Sequence, residues 1–297
     1  MLTAYFDESA HGDRFLVVGG FVSTADKWAC FSRDCERIKS EFEIPYVHAV
    51  KLFDPNSTRL YGHLSMERRI AVAAELIRSI RDFAEFSVVE TIFPRQFNSL
   101  TTKEWRDQNG APYQMCFQMI LCTLNEWLCV PNNEAHTVSI FLEDGHRNAG
   151  GAEEIIRGYK AWSDDDPDAP VAFGRQPLLK IGGYGRLTKE TAPQLWAADL
   201  ISYCMYRRIV HKDMFFSHLM DKIEERVPIV GACINKEMIE LLKEASIEGR
   251  ALLSEWQRDT HELVKYLGQF GVRVEKHRKG ILFDLSNATL PPDLSES

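Results

Sequence analysis

Three aspartates stand where the surrounding pattern predicts burial, and a buried carboxylate needs a partner. Asp7 ends the apolar run that opens the chain. Asp144 follows the alternating Val138, Ile140 and Leu142, so strand parity places it on their face at the strand's end, with Glu8 and Glu143 pointing the opposite way. Asp199 has Leu195 and Trp196 one turn before it and Ser202 and Tyr203 one turn after, which puts it on a largely apolar helix face. Carboxylates gathered at strand ends and on a packed helix can hold magnesium or manganese, because hard cations take oxygen ligands and offset the mutual repulsion. Two such ions about 3.5–4 Å apart can activate water and stabilise the leaving oxygen in phosphodiester cleavage. The structural alternative stays open for each residue: Asp7 can start a turn, Asp144 can accept hydrogen bonds within "EDG", and Asp199 can pair with an arginine.

Those residues need a scaffold, and hydrophobic periodicity outlines one. β-rich runs from Leu2 to Ser9 and from Phe15 to Ser23 flank the polar "AHGD" and predict an antiparallel hairpin. Ser23 or Thr24 can cap a helix whose stripe is Trp28, Phe31, Cys35, Ile38 and Phe42. "YVHAVKL" after Pro45 is expected as a third strand, and Ser65 as the cap of a second helix through Ile70, Ala73, Ile77 and Ile80. The strand "FSVVETIF", an apolar helix from about Pro112 to Val130, and the strand "HTVSIFLED" follow. A helix carrying Ile155, Ile156, Tyr159 and Trp162, a strand near "PLLKI", and the helix "TAPQLWAADLISYCMYRR" with Pro193 in its first turn complete the pattern. This order indicates an α/β domain over 1–212. Residues 213–297 are expected as a mainly helical extension with a flexible tail.

The chain has 297 residues, 45% of them hydrophobic, which is ample for a sizeable core. A net charge of -8 argues against coating nucleic acid by bulk electrostatics, though a local basic groove remains compatible with it. Seven cysteines without a CxxC pair point to reduced, packed thiols, and no HExxH or Cys/His set supports zinc. No apolar run is long enough to cross a bilayer, and a cytoplasmic location is expected. Arg207, Arg208 and Lys212, after the Asp199 helix, form either a phosphate-contacting edge or a solvated helix C-terminus favoured by the macrodipole.

"AYFDES", "FLVVGGFV", "YVHAVKL", "VSIFLED" and "PQLWAADLISYCMYRR" together resemble the domain of unknown function 3800 family over about residues 2–210. The resemblance implies a ribonuclease H-like fold, a mixed sheet flanked by helices, and a metal-dependent nuclease-like site with Asp7, Asp144 and Asp199 as leading ligands. It also matches His48 to a strand histidine that can order substrate or shuttle a proton, and Glu90 to an acidic position that can supply a fourth ligand. Lys189 in "GRLTKE" is a loose counterpart of a Ser-Lys step before the final helix.

The expected function is phosphodiester hydrolysis in DNA or RNA with magnesium or manganese, with the resemblance implying a role in bacterial or phage defence. The alternatives are a non-catalytic scaffold and a small-nucleotide phosphohydrolase. A homo-oligomer or a protein partner is expected at the C-terminal helices, through a stripe that includes Leu241, Leu242, Leu253 and Trp256, the alternative being that the stripe packs back onto the chain's own sheet.

Overall fold

The computed structural model describes residues 1–129, 136–144, 149–163, 179–244, 273–277 and 280–284. The chain opens with β1 (Leu2–His11) and β2 (Phe15–Thr24), paired antiparallel around a turn in which Gly12 takes a φ of 56°. Thr24 then caps α1 (Ala25–Phe42), its hydroxyl accepting from the Lys27 N–H at 3.4 Å, and the expected apolar stripe is the buried one.

"YVHAVKL" is not a strand. Pro45 interrupts the chain, His48 is extended, and Ala49–Leu52 closes one helical turn, α2, whose first N–H is taken by a side chain from elsewhere in the molecule, Asp199. After α3 (Thr58–Tyr61) comes α4 (Met66–Phe83), capped by Ser65. β3 (Phe86–Ile92), the short α5 (Pro94–Leu100) and α6 (Lys103–Asn109), and the apolar α7 (Pro112–Cys129) follow. The domain continues through β4 (His136–Glu143), α8 (Ala149–Ser163), β5 (Leu179–Leu187) and α9 (Gln194–His211).

The break expected at 212 does not appear in the packing. α10 (Met214–Glu224) lies against α9 and α4, and β6 (Ile229–Val230) and β7 (Cys233–Ile234) both pair with β3, so this stretch widens the same sheet. α11 (Lys236–Glu244) packs on β7 and α5. β8 (Arg273–His277) and β9 (Gly280–Asp284) form an antiparallel pair within the region expected to be mainly helical. The remainder of the proposed partner stripe, Leu253 and Trp256 included, lies outside the described residues. Among the described residues no helix is long and apolar enough to cross a membrane.

The sheet order is β5-β4-β1-β2-β3-β6, with β2 antiparallel to both neighbours and β4 parallel to β1 and β5. Helices cover both faces, making the mixed α/β architecture anticipated from sequence. One face, with α1, α4, α9 and α10, buries Val17, Phe21 and Val89; the other, with α7 and α8, buries Ala4, Phe6, Val18 and Val88. α9 crosses β1 and β2 closely because β2 presents Gly19 there: a Cβ at Gly19 would stand 2.8 Å from Ser202 Oγ and 3.3 Å from Ile201. Ser202 Oγ in turn donates to the Asp7 carbonyl at 3.0 Å, fixing the helix on β1 at Asp7.

Gly19→Val should therefore force α9 off the sheet. Overpacking of this kind costs about 1–3 kcal/mol, and thermal unfolding should show a lowered midpoint. An unchanged midpoint would mean that the helix is not seated at Gly19.

Candidate active site

Asp7 follows the last β1–β4 pair, Phe6 with Leu142, so the residue level with it on β4 is Glu143. Parallel neighbours point to the same face. Tyr5 and Phe141 stack at 5.4 Å on that face, which is the α9 face, whereas Phe6 and Leu142 point to α7. Asp7 and Glu143 therefore emerge together at the carboxyl end of a parallel pair, where ligands of open α/β sheets bind.

Asp199, in the middle of α9, reaches the same place from above, and Lys189 enters from the β5–α9 connection. The Lys189 ammonium lies 2.8 Å from Asp7 Oδ2, 2.5 Å from Glu143 Oε1 and 3.6 Å from Asp199 Oδ1, with a side chain only 5% exposed. Trp196 Nε1 donates to the Lys189 carbonyl at 2.8 Å and sets the height of that loop on the helix. The opposite side of Asp199 is held by the Ala49 N–H, which donates to Oδ2, and by His48 Nδ1 at 3.4 Å. The His48 N–H donates to the Tyr61 hydroxyl at 2.9 Å, which itself donates to the Tyr46 carbonyl at 3.1 Å.

Electrostatics separates the two aspartates. Burial pushes the Asp7 carboxyl well above the usual range; Lys189 opposes this, and Asp199 and Glu143 add to it. Burial also pushes Asp199 upward, but Lys189, His48 and the Ala49 N–H outweigh it and hold that carboxyl below the usual range. Burial would discharge Lys189, yet Asp199, Asp7 and Glu143 keep it charged, with its pKa above that of a free lysine. Asp7 Oδ1 accepts from the Glu8 N–H at 2.7 Å. Oδ2 meets Lys189 as an ion pair in a geometry that makes no hydrogen bond, so this buried oxygen has no hydrogen-bond donor.

The structure brings together three of the expected residues, Asp7, Asp199 and His48, and leaves the others apart. Asp144 is on the face of Leu142, as parity requires, but that is the α7 face. Its side chain is 53% exposed and lies 4.0 Å from Arg186. Glu90 is fully buried on the α7 face of β3, accepting from Thr123 Oγ1 and the Ala232 N–H at 3.0 Å each, and so ties β3 to its neighbours. Arg207 pairs with Asp213 at 2.6 Å and lies over the Phe216 ring; buried Arg208 pairs with Glu224 at 3.1 Å. They lie about 12 and 13.5 Å along the helix from Asp199 at 1.5 Å per residue. Lys212 is the exposed, left-handed cap of α9. Sequence reasoning set Glu143 aside by parity and gave Lys189 no definite role; only the β1–β4 register identifies Glu143.

Three carboxylates from three elements surround one ammonium charge, an all-oxygen set of the chemical kind that hard divalent cations take. Among the described residues no group of three His, Cys, Asp or Glu side chains is arranged to hold a metal ion.

No family model and no curated protein matches the chain, so the family resemblance rests on the quoted motifs alone. Among solved structures, a chain of the PCNA:RNase HII complex from Archaeoglobus fulgidus aligns with a TM-score of 0.34 and 16% identity, covering 84% of this chain and 91% of that one. A mutant of Bst-RNase HIII aligns with a TM-score of 0.32 and 13% identity, covering 84% and 69%.

Two stability measurements check the electrostatics. Lys189→Met leaves buried carboxylates without their counter-charge, a loss of about 3–5 kcal/mol at neutral pH that should shrink as acid protonates them. For Asp7 the folded pKa lies above the unfolded one, so the unfolded state releases its proton first. Its contribution to stability therefore falls as pH rises from about 4 toward the folded value. Asp7→Asn should flatten the pH dependence of unfolding in that window; identical slopes in wild type and variant would contradict the raised pKa.

Proposed function

We propose that the chain is a hydrolase of phosphodiester bonds in nucleic acid, with Asp7, Glu143 and Asp199 at its reacting centre. The observation that carries this reading is the convergence of these three carboxylates, from β1, β4 and α9, on one buried ammonium. Two buried aspartates and a half-buried glutamate around one ammonium bear a large desolvation cost, and aspartates shifted in opposite directions, Asp7 up and Asp199 down, are a mark of functional sites. Magnesium or manganese is the cofactor this reading takes with it, and Asp7, Glu143 and Asp199 are the residues that would hold it. Such an ion, when bound, supplies Lewis-acid stabilisation of phosphoryl charge and an acidified water.

The chain's own groups have distinct parts. Asp7 projects from the sheet and Asp199 from the helix, and Ser202 locks their spacing through the Asp7 carbonyl. His48 and the Ala49 N–H fix the Asp199 carboxylate from the side away from Lys189. Lys189 supplies the counter-charge that lets these carboxylates be held together without an ion.

The test is cleavage of labelled single- and double-stranded DNA and RNA with magnesium, manganese or chelator. Asp7→Asn, Glu143→Gln and Asp199→Asn should each reduce divalent-dependent cleavage to background while remaining folded, and Asp144→Asn should cleave close to wild type. Cleavage that survives in all three site variants, or that is lost with Asp144 alone, would overturn the assignment. Manganese should also raise the melting temperature of wild type by mass action and raise that of Asp7→Asn less; equal shifts would place the ion elsewhere.

A further inference from the structure

The loop and short helices between α1 and α4 form one wall of a cleft of about 590 Å3, lined by residues that include Tyr46, His48, Lys51, Thr58, Arg59 and Glu190. The cleft borders the carboxylate site through His48, whose Nδ1 lies 3.4 Å from Asp199, and through Glu190, the residue after Lys189; the carboxylates themselves are not in its lining. Its size is that of a ligand site.

The wall is preformed. Buried Arg69 donates to the carbonyls of Asp54, Ser57, Tyr61 and Leu64 at 2.6, 3.1, 2.9 and 3.3 Å, and its guanidinium lies 5.7 Å from the centre of the Tyr61 ring. One side chain thus ties the loop to α4, and the same Tyr61 supports His48 through its hydroxyl. A wall ordered in advance binds without a further ordering cost.

Charge along the cleft is uneven. Lys51 and Arg59 are exposed, and among the described residues neither meets a carboxylate. Of the acids in the lining, Asp54 accepts from the Asn56 N–H at 2.9 Å in its own turn, and Glu190 is exposed beside the site. A chain with a net charge of -8 and an acid cluster repels a polyanion, so local cations must offset that repulsion for a strand to approach.

We propose that this cleft is the strand-binding subsite of the hydrolase described above. Lys51 and Arg59 hold backbone phosphates of a single-stranded nucleic acid, and half-buried Tyr46 offers its ring to an unpaired base. A base can stack there only if it is free of its complement, which selects a single strand over a duplex. The subsite depends on the hydrolase reading for its purpose, but its binding is measurable separately.

Fluorescence anisotropy in chelator, where cleavage is suppressed, provides the test. The probes are deoxyribo- and ribo-oligonucleotides of about 12 nucleotides, the matched duplexes, and a nucleoside monophosphate as competitor. Wild type should bind a single strand more tightly than its duplex or the monophosphate. Lys51→Ala combined with Arg59→Ala should weaken single-strand binding about 25-fold at 0.1 M salt and reduce the salt slope by about 1.4, at about 0.7 per phosphate contact, with the melting temperature unchanged. Equal affinity and slope in wild type and the double variant, or tighter binding of the duplex or the monophosphate, would overturn the subsite. If cleavage persists while binding ignores the double substitution, the hydrolase reading stands and the subsite fails. If binding depends on both cations and wild type cleaves nothing, the subsite stands and the hydrolase reading fails.

Discussion

The Lys189 ammonium is the charge around which this structure is arranged. Three carboxylates within 3.6 Å of it would be untenable in a buried site without a cation, and a lysine this buried would lose its proton without them. Each side therefore makes the other possible. This mutual requirement explains why two aspartates a few ångströms apart have opposite electrostatic states, Asp7 raised by burial and its acidic neighbours, and Asp199 lowered by Lys189, His48 and the Ala49 N–H.

Holding four charged groups in register takes elements distant in sequence. β1 and β4 bring Asp7 and Glu143 level, α9 lowers Asp199 onto them, and the β5–α9 connection delivers Lys189. The close approach depends on Gly19, which lets α9 lie against β2, and on Ser202, which binds the helix to the Asp7 carbonyl. Trp196, buried in the core, fixes the Lys189 backbone from below. On the other side Arg69 shapes the 45–64 segment so that His48 and Ala49 reach Asp199. Packing and site are thus the same construction, and a helix shift that leaves the hydrophobic core intact would still separate the charges.

Much of this was legible in the sequence. Caps and periodicity located α1, α4, α7 and α9, and apolar runs located β1 to β4 and the start of β5, because those signals are local; the glycine-rich remainder of β5 carries no such run. Asp7 and Asp199 were visible because each is a carboxylate in a run that otherwise reads as core. Glu143 was not, because parity tells which residues of a strand share a face but not which face receives a distant helix; that depends on the β1–β4 register. "YVHAVKL" had strand composition, and a contact with Asp199, 150 residues later, turned its second half into a helical turn. Glu90 resembles a ligand in one dimension, yet it satisfies Thr123 and the Ala232 N–H on the far side of the sheet. Arg207 and Arg208 looked free for phosphate until α10 folded back and supplied Asp213 and Glu224.

The central claim is that Lys189 and a hard divalent cation share one set of oxygens. The most direct measurement is anomalous scattering from crystals soaked in manganese, collected at the metal's absorption edge. The account predicts a manganese peak bounded by Asp7, Glu143 and Asp199, with the Lys189 ammonium moved out from between them. Lys189 still centred among the three carboxylates at saturating manganese, with any peak elsewhere, would contradict it.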